Sequence, residues 1–214
     1  MVQPLSASLQ FPPVSEATED GLLAYGGDLS AERLLLAYQS GIFPWYEDGQ
    51  PILWWSPDPR MVLFVNDFKV SKSLQKTIRR AHFSVTFNQN FSEVIRQCAT
   101  IQRPEQQGTW ITSQMQDAYI KLHQQGHAVS FEVWQDEELV GGGYGIDLPE
   151  RGIYCGESMF SLKSDASKAG LYYLVQRYKK LGYKFLDCQI YTSHLASLGA
   201  CEIPRKEFIK LLNL

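Results

Sequence analysis

"GIYCGESMFSLKSDASKAGLYYLVQRYKKLGYKFLDCQ", residues 152–189, is the stretch on which the fold turns. Its opening, "GIYCGESMF" (152–160), reads as a strand. A long amphipathic helix starts near Ser164, with Leu171, Leu174, Val175, Tyr178 and Leu181 on one stripe. Lys179 and Lys180 suit the negative end of its dipole, and Gly182 stops it. "KFLDCQ" (184–189) is the strand that follows. Strand, crossover helix and strand in that order imply a parallel pair. Just upstream, "VSFEVW" (129–134) and "ELVGGGYGID" (138–147) flank a short acidic turn and read as a hairpin. The expected class is therefore α/β (α+β) with a mixed sheet, of the kind that GNAT-type acyltransferases have.

Working back towards the N-terminus, Ser30 caps a helix with body "RLLLAYQ" and Gly41 as its stop. A ribbon follows, "GIFPWYEDGQPILWWSPDPR" (41–60), with three of the chain's five tryptophans. Its four prolines and two glycines argue against any regular element. "MVLFV" (61–65), a helix around 71–81, "FSVTF" (83–87), a helix from a capping box at Asn90 and Glu93, and a helix from Thr112 to Gly126 come next. A small N-terminal domain, 1–62, packed on a domain of 63–214 is the expected organisation, because the prolines end near residue 62.

Hydrophobic residues at 44% and charged residues at 20% describe a chain able to bury a large core. No run approaches the roughly 18 apolar residues of a membrane span. The first twenty residues have neither a basic n-region nor an apolar h-region, so no signal peptide is expected. Cys98, Cys155, Cys188 and Cys201 lie far apart without C-x-x-C, which argues against zinc and disulfides and for reduced thiols in the cytoplasm. Nothing calls for more than a monomer. A net charge of −3 exerts no global pull on nucleic acid. Locally, no acid stands between Asp67 and Glu93, whereas Lys69, Lys72, Lys76, Arg79 and Arg80 recur at helical spacing. That face is either an ordinary solvated one or a track for phosphates.

Several groups have chemical potential. Asp187 and Gln189 are two apart, so a regular strand points both to one face. Glu157 stands within an apolar, small-residue run, and a buried carboxylate needs a partner, either a salt bridge or a substrate cation. "SMFSLKSDASKAG" is a hydroxyl-rich helix start suited to an anion, but it lacks the R/Q-x-x-G-x-G/A loop that holds the pyrophosphate of coenzyme A. "GGGYG" (141–145) precedes Pro149 and not a helix, so it is no dinucleotide fingerprint. Cys188 points opposite to Asp187 on a strand, so a Cys188–His194–Asp187 set does not converge. His123 and His127 are four apart but lack the His-Glu-x-x-His pattern and a third ligand, so no metal is expected.

"GLLAYGGDLS", "RLLLAYQSGIFPWY", "PILWWSPDPR", "GTWIT", "CGESMFS", "ASK", "LDCQ" and "ASLGACEIPR" run in order from residue 21 to 205. In these pieces the chain resembles the bacterial leucyl/phenylalanyl-tRNA–protein transferases. The resemblance implies transfer of Leu or Phe (Met less well) from aminoacyl-tRNA to proteins with N-terminal Arg or Lys, which marks them for N-degron degradation. It implies a small N-terminal domain on a GNAT-like domain, and no cofactor. Trp45 and Trp110 correspond to rings that hold the terminal adenosine of tRNA, and Lys72, Lys76, Arg79 and Arg80 to a track for acceptor-stem phosphates. Trp54 and Trp55 are assigned to the interface of the two domains. Asp187, Gln189 and Glu157 map to the catalytic site. A free Asp has a pKa near 4 against about 8 for an α-amine, so Asp187 orients the amine and does not deprotonate it. Gln189 is a positioner, and the proton acceptor stays open, the ribose hydroxyl that leaves the ester included. Gly143 replaces a larger apolar residue of the family's aminoacyl pocket, leaving that pocket either roomier or refilled by Met159 or Tyr154. Two rival readings stand beside this one: an acetyltransferase using acetyl-coenzyme A, and a non-catalytic module that binds N-terminal Arg or Lys or tRNA ends.

Overall fold

Residues 2–101 and 109–214 are described by a computed structural model. Gly108, the first residue of "GTWIT", lies outside them. In chain order the elements are β1 (Gln3–Leu5), β2 (Leu22–Gly26), α1 (Ala31–Gln39), β3 (Phe43–Pro44), β4 (Leu53–Trp55), β5 (Arg60–Phe64), α2 (Lys72–Arg79), β6 (Ser84–Phe87), α3 (Phe91–Thr100) and α4 (Ser113–Gln124). Then come β7 (Ala128–Gln135), β8 (Glu138–Leu148), β9 (Ile153–Ser161), α5 (Ala166–Lys180), β10 (Phe185–Gln189), α6 (Ser193–Ser197), β11 (Cys201–Ile203) and α7 (Arg205–Leu212).

The strands form two sheets, one ordered β1-β2-β4-β3 and the other β11-β5-β10-β9-β8-β7-β6. In the larger sheet only β9 and β10 run parallel; every other neighbour is antiparallel. The fold is mixed α/β as expected, with β9–α5–β10 the crossover unit that a parallel pair requires. The β7–β8 hairpin turns on Asp136 and Glu137, both at positive φ, as a two-residue turn of matching twist demands.

Period-2 alternation divides the side chains of the large sheet between two cores. Val129, Phe131, Val133 and Leu186 face α5, where Leu171, Leu174, Val175 and Tyr178 meet them. Ala128, Cys155 and Phe185 face the other way and join a core that also contains Leu34, Tyr38 and Trp54 from the small sheet's unit. The two sheets thus share one continuous apolar interior. Strand β5 belongs to the large sheet, so the expected division at residue 62 falls inside a strand.

Ser30 caps α1 as expected, accepting the Arg33 amide, and Thr112, where a helix was expected to start, caps α4 by accepting the Met115 amide. Three other local expectations are corrected. The Pro-rich ribbon does form two short strands, β3 and β4, because Pro44 and Pro51 sit where no ladder N–H is needed. Leu181 is 60% exposed: it is the C-cap of α5, beyond the last turn that packs. Asn90 does not cap α3 with its side chain, and Glu93 pairs with Arg96 and not with the cap. Instead Glu132, fully buried on β7, accepts the Asn90 amide at 3.3 Å, the Thr86 hydroxyl at 2.7 Å and the Ser130 hydroxyl at 2.6 Å. A carboxylate at a helix N-terminus is held by dipole and donors together. Glu132→Ala is therefore expected to cost about 1–3 kcal/mol of stability, and Asn90→Ala less than about 0.5 kcal/mol, by denaturant unfolding.

Candidate active site

Strands β9 and β10 pair only from Ile153/Phe185 to Cys155/Asp187, and then part. Two irregularities mark the parting. On β9, Tyr144 pairs with Ser158 and Gly145 with Gly156, so Glu157 is an extra residue, a bulge. On β10, Asp187 pairs with Val62 and Gln189 with Met61, so Cys188 is extra in turn. Bulges re-aim side chains, and here they turn two towards each other. Gln189 has φ +66°, an uncommon backbone for a non-glycine residue. Its amide Nε2 donates to Glu157 Oε1 at 2.7 Å. Gly145 is required opposite this bulge, since a Cβ there would meet the Tyr154 ring at 2.6 Å.

Between the splayed strands lies a cavity of about 460 Å³, lined mostly by apolar side chains. Phe131, Tyr154, Met159, Leu171 and Leu174 form its wall, Phe43, Pro44, Trp45 and Trp110 one side, and Thr192, His194 and Leu195 of the α6 region another. Glu157, Asp187 and Gln189 border it together. The three residues expected to be catalytic are thus gathered at one point.

Their chemistry differs from the expectation for a regular strand. Asp187 is 1% exposed and has both oxygens on one guanidinium: Arg60 Nε donates to Oδ1 at 2.8 Å and Nη2 to Oδ2 at 2.7 Å. Its link to Gln189 is to the main chain, with the Gln189 N–H donating to Oδ1 at 3.1 Å. Glu157 is met by neutral donors: besides Gln189, the Tyr119 hydroxyl donates at 3.1 Å, and the Tyr38 hydroxyl is hydrogen-bonded to that of Tyr119. Burial raises the Glu157 carboxyl to about 7, with the donors opposing and the Asp187 charge adding to the rise. The same burial lifts Tyr38 and Tyr119 well above the usual phenol range, so both remain protonated donors. Cys188 borders the cavity, but burial and then the Asp187 charge raise its thiol, which leaves it a poor nucleophile. His194 is lowered by burial and by Lys168.

The tryptophans explain the stiff ribbon. Trp45 is 40% exposed at the cavity mouth. Its N–H donates to Leu53 O at 2.9 Å, its carbonyl accepts the Trp55 indole N–H at 2.7 Å, and the two rings lie 5.9 Å apart. Trp54 is fully buried, bonded to Gly26 O at 2.9 Å and packed on Phe11. Trp54 therefore belongs to the shared core, whereas Trp55 braces Trp45. Trp110 is partly buried on the same cavity.

Gly143 does not line the cavity; the space a side chain would take is filled by Met159 Cγ and the Phe131 ring, each 2.7 Å from a Cβ placed there. Met159 and Tyr154 do line it. Lys69, Lys72, Lys76, Arg79 and Arg80 are exposed; α2 buries only Leu74 and packs on α5. The Lys69 N–H donates to Leu198 O at 2.8 Å, which ties the start of this segment to the turn after α6. The His123 ring stacks on Phe91 at 4.3 Å and its Nδ1 bonds Ala128 O. Among the described residues no group of three or more His, Cys, Asp or Glu side chains is placed to hold a metal. Nor is any helix among them long and apolar enough to cross a membrane.

Residues that sequence reading missed are Arg60, Tyr38 and Tyr119. All three lie within quoted motifs or helices, but only the fold brings them to the site.

Comparison with known proteins identifies the family. The family model described as leucyl/phenylalanyl-tRNA protein transferase matches residues 62–213, and the model of that family's N-terminal domain matches 27–58. The leucyl/phenylalanyl-tRNA–protein transferase of Flavobacterium johnsoniae is 58% identical over 209 residues, covering 98% of each chain. That of Christiangramia forsetii is 58% identical over 203 residues, 95% of this chain and 96% of the relative. That of Syntrophus aciditrophicus is 56% identical over 210 residues, 98% of this chain and 87% of the relative. Among solved structures, a GCN5-related N-acetyltransferase from Kribbella flavida is similar over 80% of this chain and 59% of its own, with 10% identity and a TM-score of 0.37. With the cavity residues inside the matched segments, the chain belongs to the leucyl/phenylalanyl-tRNA–protein transferase family and is an aminoacyltransferase that moves an amino acid from tRNA to protein.

Proposed function

We propose that this protein transfers Leu or Phe, and Met less well, to the α-amino group of proteins whose N-terminus is Arg or Lys, marking them for degradation by the N-degron route. It does so as a monomer in the cytoplasm, where charged tRNA is found, with a small N-terminal domain set on the catalytic one. One observation carries this reading: a single apolar cavity has a braced, exposed tryptophan at its mouth and a carboxyl group that titrates near neutrality on its wall.

In this reading the terminal adenosine of the tRNA rests on Trp45 and Trp110, and the exposed basic face of α2 follows the acceptor-stem phosphates. The apolar wall of Phe131, Tyr154, Met159, Leu171 and Leu174 takes the Leu or Phe side chain. The aminoacyl ester is already activated, so the chain's task is to place a neutral amine against its carbonyl carbon. The amine nitrogen forms the peptide bond, the ester C–O bond breaks, and the amine proton passes to Glu157. Glu157 then protonates the departing ribose oxygen, so that the carboxylate is regenerated. A carboxyl at about 7 is matched to an amine of pKa near 8, which a free Asp near 4 is not. Gln189 positions, and Asp187, whose charge is matched by Arg60, holds Gln189 in place. Glu157 is the carboxyl that receives the acceptor's α-amine, since the other one on the cavity is already paired.

Transfer of labelled Leu, Phe and Met to peptides beginning with Arg, Lys, Ala or Glu tests the specificity. The reading expects Arg and Lys to accept and Leu and Phe to exceed Met; equal acceptance by Ala and Glu contradicts it. Filling the site of Gly143 tests the pocket assignment. Gly143→Leu must push Met159 or Phe131 into the cavity, so Phe transfer is expected to fall roughly tenfold relative to Leu transfer, the range of about 1–3 kcal/mol for such a wall. The ratio of initial rates from the two charged tRNAs checks this.

A further inference from the structure

We propose that Arg60 is a positioning residue of the transfer reaction, holding the Gln189 bulge through Asp187 and fastening that bulge to the ribbon that carries Trp45. This rests on the reading of the cavity as the transfer site. Arg60 is 1% exposed, and each of its three guanidinium nitrogens donates a hydrogen bond. Two donate to Asp187, at 2.8 and 2.7 Å, in the fork geometry that fixes a carboxylate in both place and rotation. Nη1 donates at 3.1 Å to the carbonyl of Gly41, the residue that ends α1 and begins the ribbon. The flat guanidinium lies between the rings of Phe43, 4.8 Å away, and Phe208, 4.6 Å away.

Each of these contacts leads to the site. On one side Asp187 Oδ1 accepts the Gln189 N–H at 3.1 Å, which stabilises the positive-φ backbone, and the Gln189 amide then reaches Glu157 at 2.7 Å. On the other side Phe43 is paired in register with Trp55, whose indole bonds the Trp45 carbonyl. The line from Trp45 through Phe43, Arg60, Asp187 and Gln189 to Glu157 is therefore unbroken. A buried ion pair is a poor device for stability alone, because desolvation offsets its attraction. It is a good device for geometry: a two-point clamp that also bonds Gly41 leaves the strand end no freedom to rotate. Lysine, with one rotatable ammonium group, cannot make three such contacts in one plane.

Arg60→Lys keeps the charge but loses the clamp. The Glu157 carboxyl is followed by ¹³C NMR titration of the free protein, with Glu157→Gln assigning the signal. In Arg60→Lys the Gln189 donor is displaced, so the midpoint is expected to rise by about half a unit or more. Single-turnover transfer at saturating tRNA is expected to fall at least about tenfold, with the KM for the acceptor peptide within about threefold of wild type. An unshifted titration, or a wild-type rate in the folded variant, overturns the proposal. The double variant Arg60→Met/Asp187→Asn leaves no buried charge unmatched, which protects folding. Its rate is expected to stay at least about tenfold down, since the amide substituted at position 187 has lost its anchor; a wild-type rate there also overturns the proposal. The titration needs no substrate, so it decides the role of Arg60 even if the wild-type chain transfers nothing, a result that would count against the proposed function instead.

Discussion

Glu157→Gln is expected to slow single-turnover transfer by about 10²–10³-fold, the usual worth of a well-placed acid–base group, while uncharged tRNA binds as it does to the wild type. The side chain keeps its size, and Tyr119 can still donate to the amide oxygen. What is lost is a group able to hold a proton near neutral pH. Both rates are expected to fall below about pH 8 as the acceptor α-amine protonates, and the wild-type rate to fall more steeply below about pH 7, where Glu157 is protonated as well, a second step that the variant lacks. Stability should move in the opposite sense. The folded carboxyl lies at about 7 against 4.5 for a free glutamate side chain, so between those values the unfolded chain has released a proton that the folded one retains. Stability therefore falls as pH rises through that window, and levels off above it. At pH 8 the Gln variant should be more stable than wild type by about 1–3 kcal/mol, allowing for solvent at the cavity, and the difference should vanish below about pH 4.5. Urea titrations at pH 8 and pH 4 measure both ends. A variant with full activity would remove Glu157 from the reaction.

Trp45→Ala should act on binding and spare chemistry. Stacking of one base on an aromatic ring is worth about 1–3 kcal/mol, so the dissociation constant for tRNA is expected to rise between about fivefold and 150-fold. The rate at saturating tRNA should change little, because Trp45 is at the mouth and Glu157 on the wall. Trp45→Phe should recover much of the affinity. Trp55→Phe tests the brace separately: it removes the indole bond to the Trp45 carbonyl but leaves the stacking ring, and a smaller loss is expected. Equilibrium binding of uncharged tRNA, followed by tryptophan fluorescence, separates these cases.

Much of the architecture was legible from local pattern. The stripe Leu171, Leu174, Val175 and Tyr178 found its sheet face, and Ser30 and Thr112 cap as their positions require. These features depend on spacings within a few residues, which a chain read by itself displays. The active-site geometry depends on register instead. Alternation aligns Asp187 and Gln189 on one face, yet a bulge and a positive φ intervene, and both arise from how β10 meets β5 and β9. The same is true of Glu132: its role as the cap of α3 requires a strand forty-two residues away in sequence. Arg60 reads as the tail of a proline-rich ribbon, and the 127-residue separation from Asp187 hides the pair completely. Glu157 was legible as a carboxylate in apolar surroundings; that hydroxyls and an amide, and not a cation, would meet it was not.

Transfer of labelled Leu and Phe, in parallel, from charged tRNA to a peptide beginning with Arg is the most direct test. The same peptide with an acetylated N-terminus is the control. Label on the free-amine peptide alone, from both donors, is the result expected of a cavity that presents a neutral α-amine to an aminoacyl ester. Label on neither peptide while tRNA still binds would contradict it, and so would label on both, which would place the acyl group somewhere other than the α-amine.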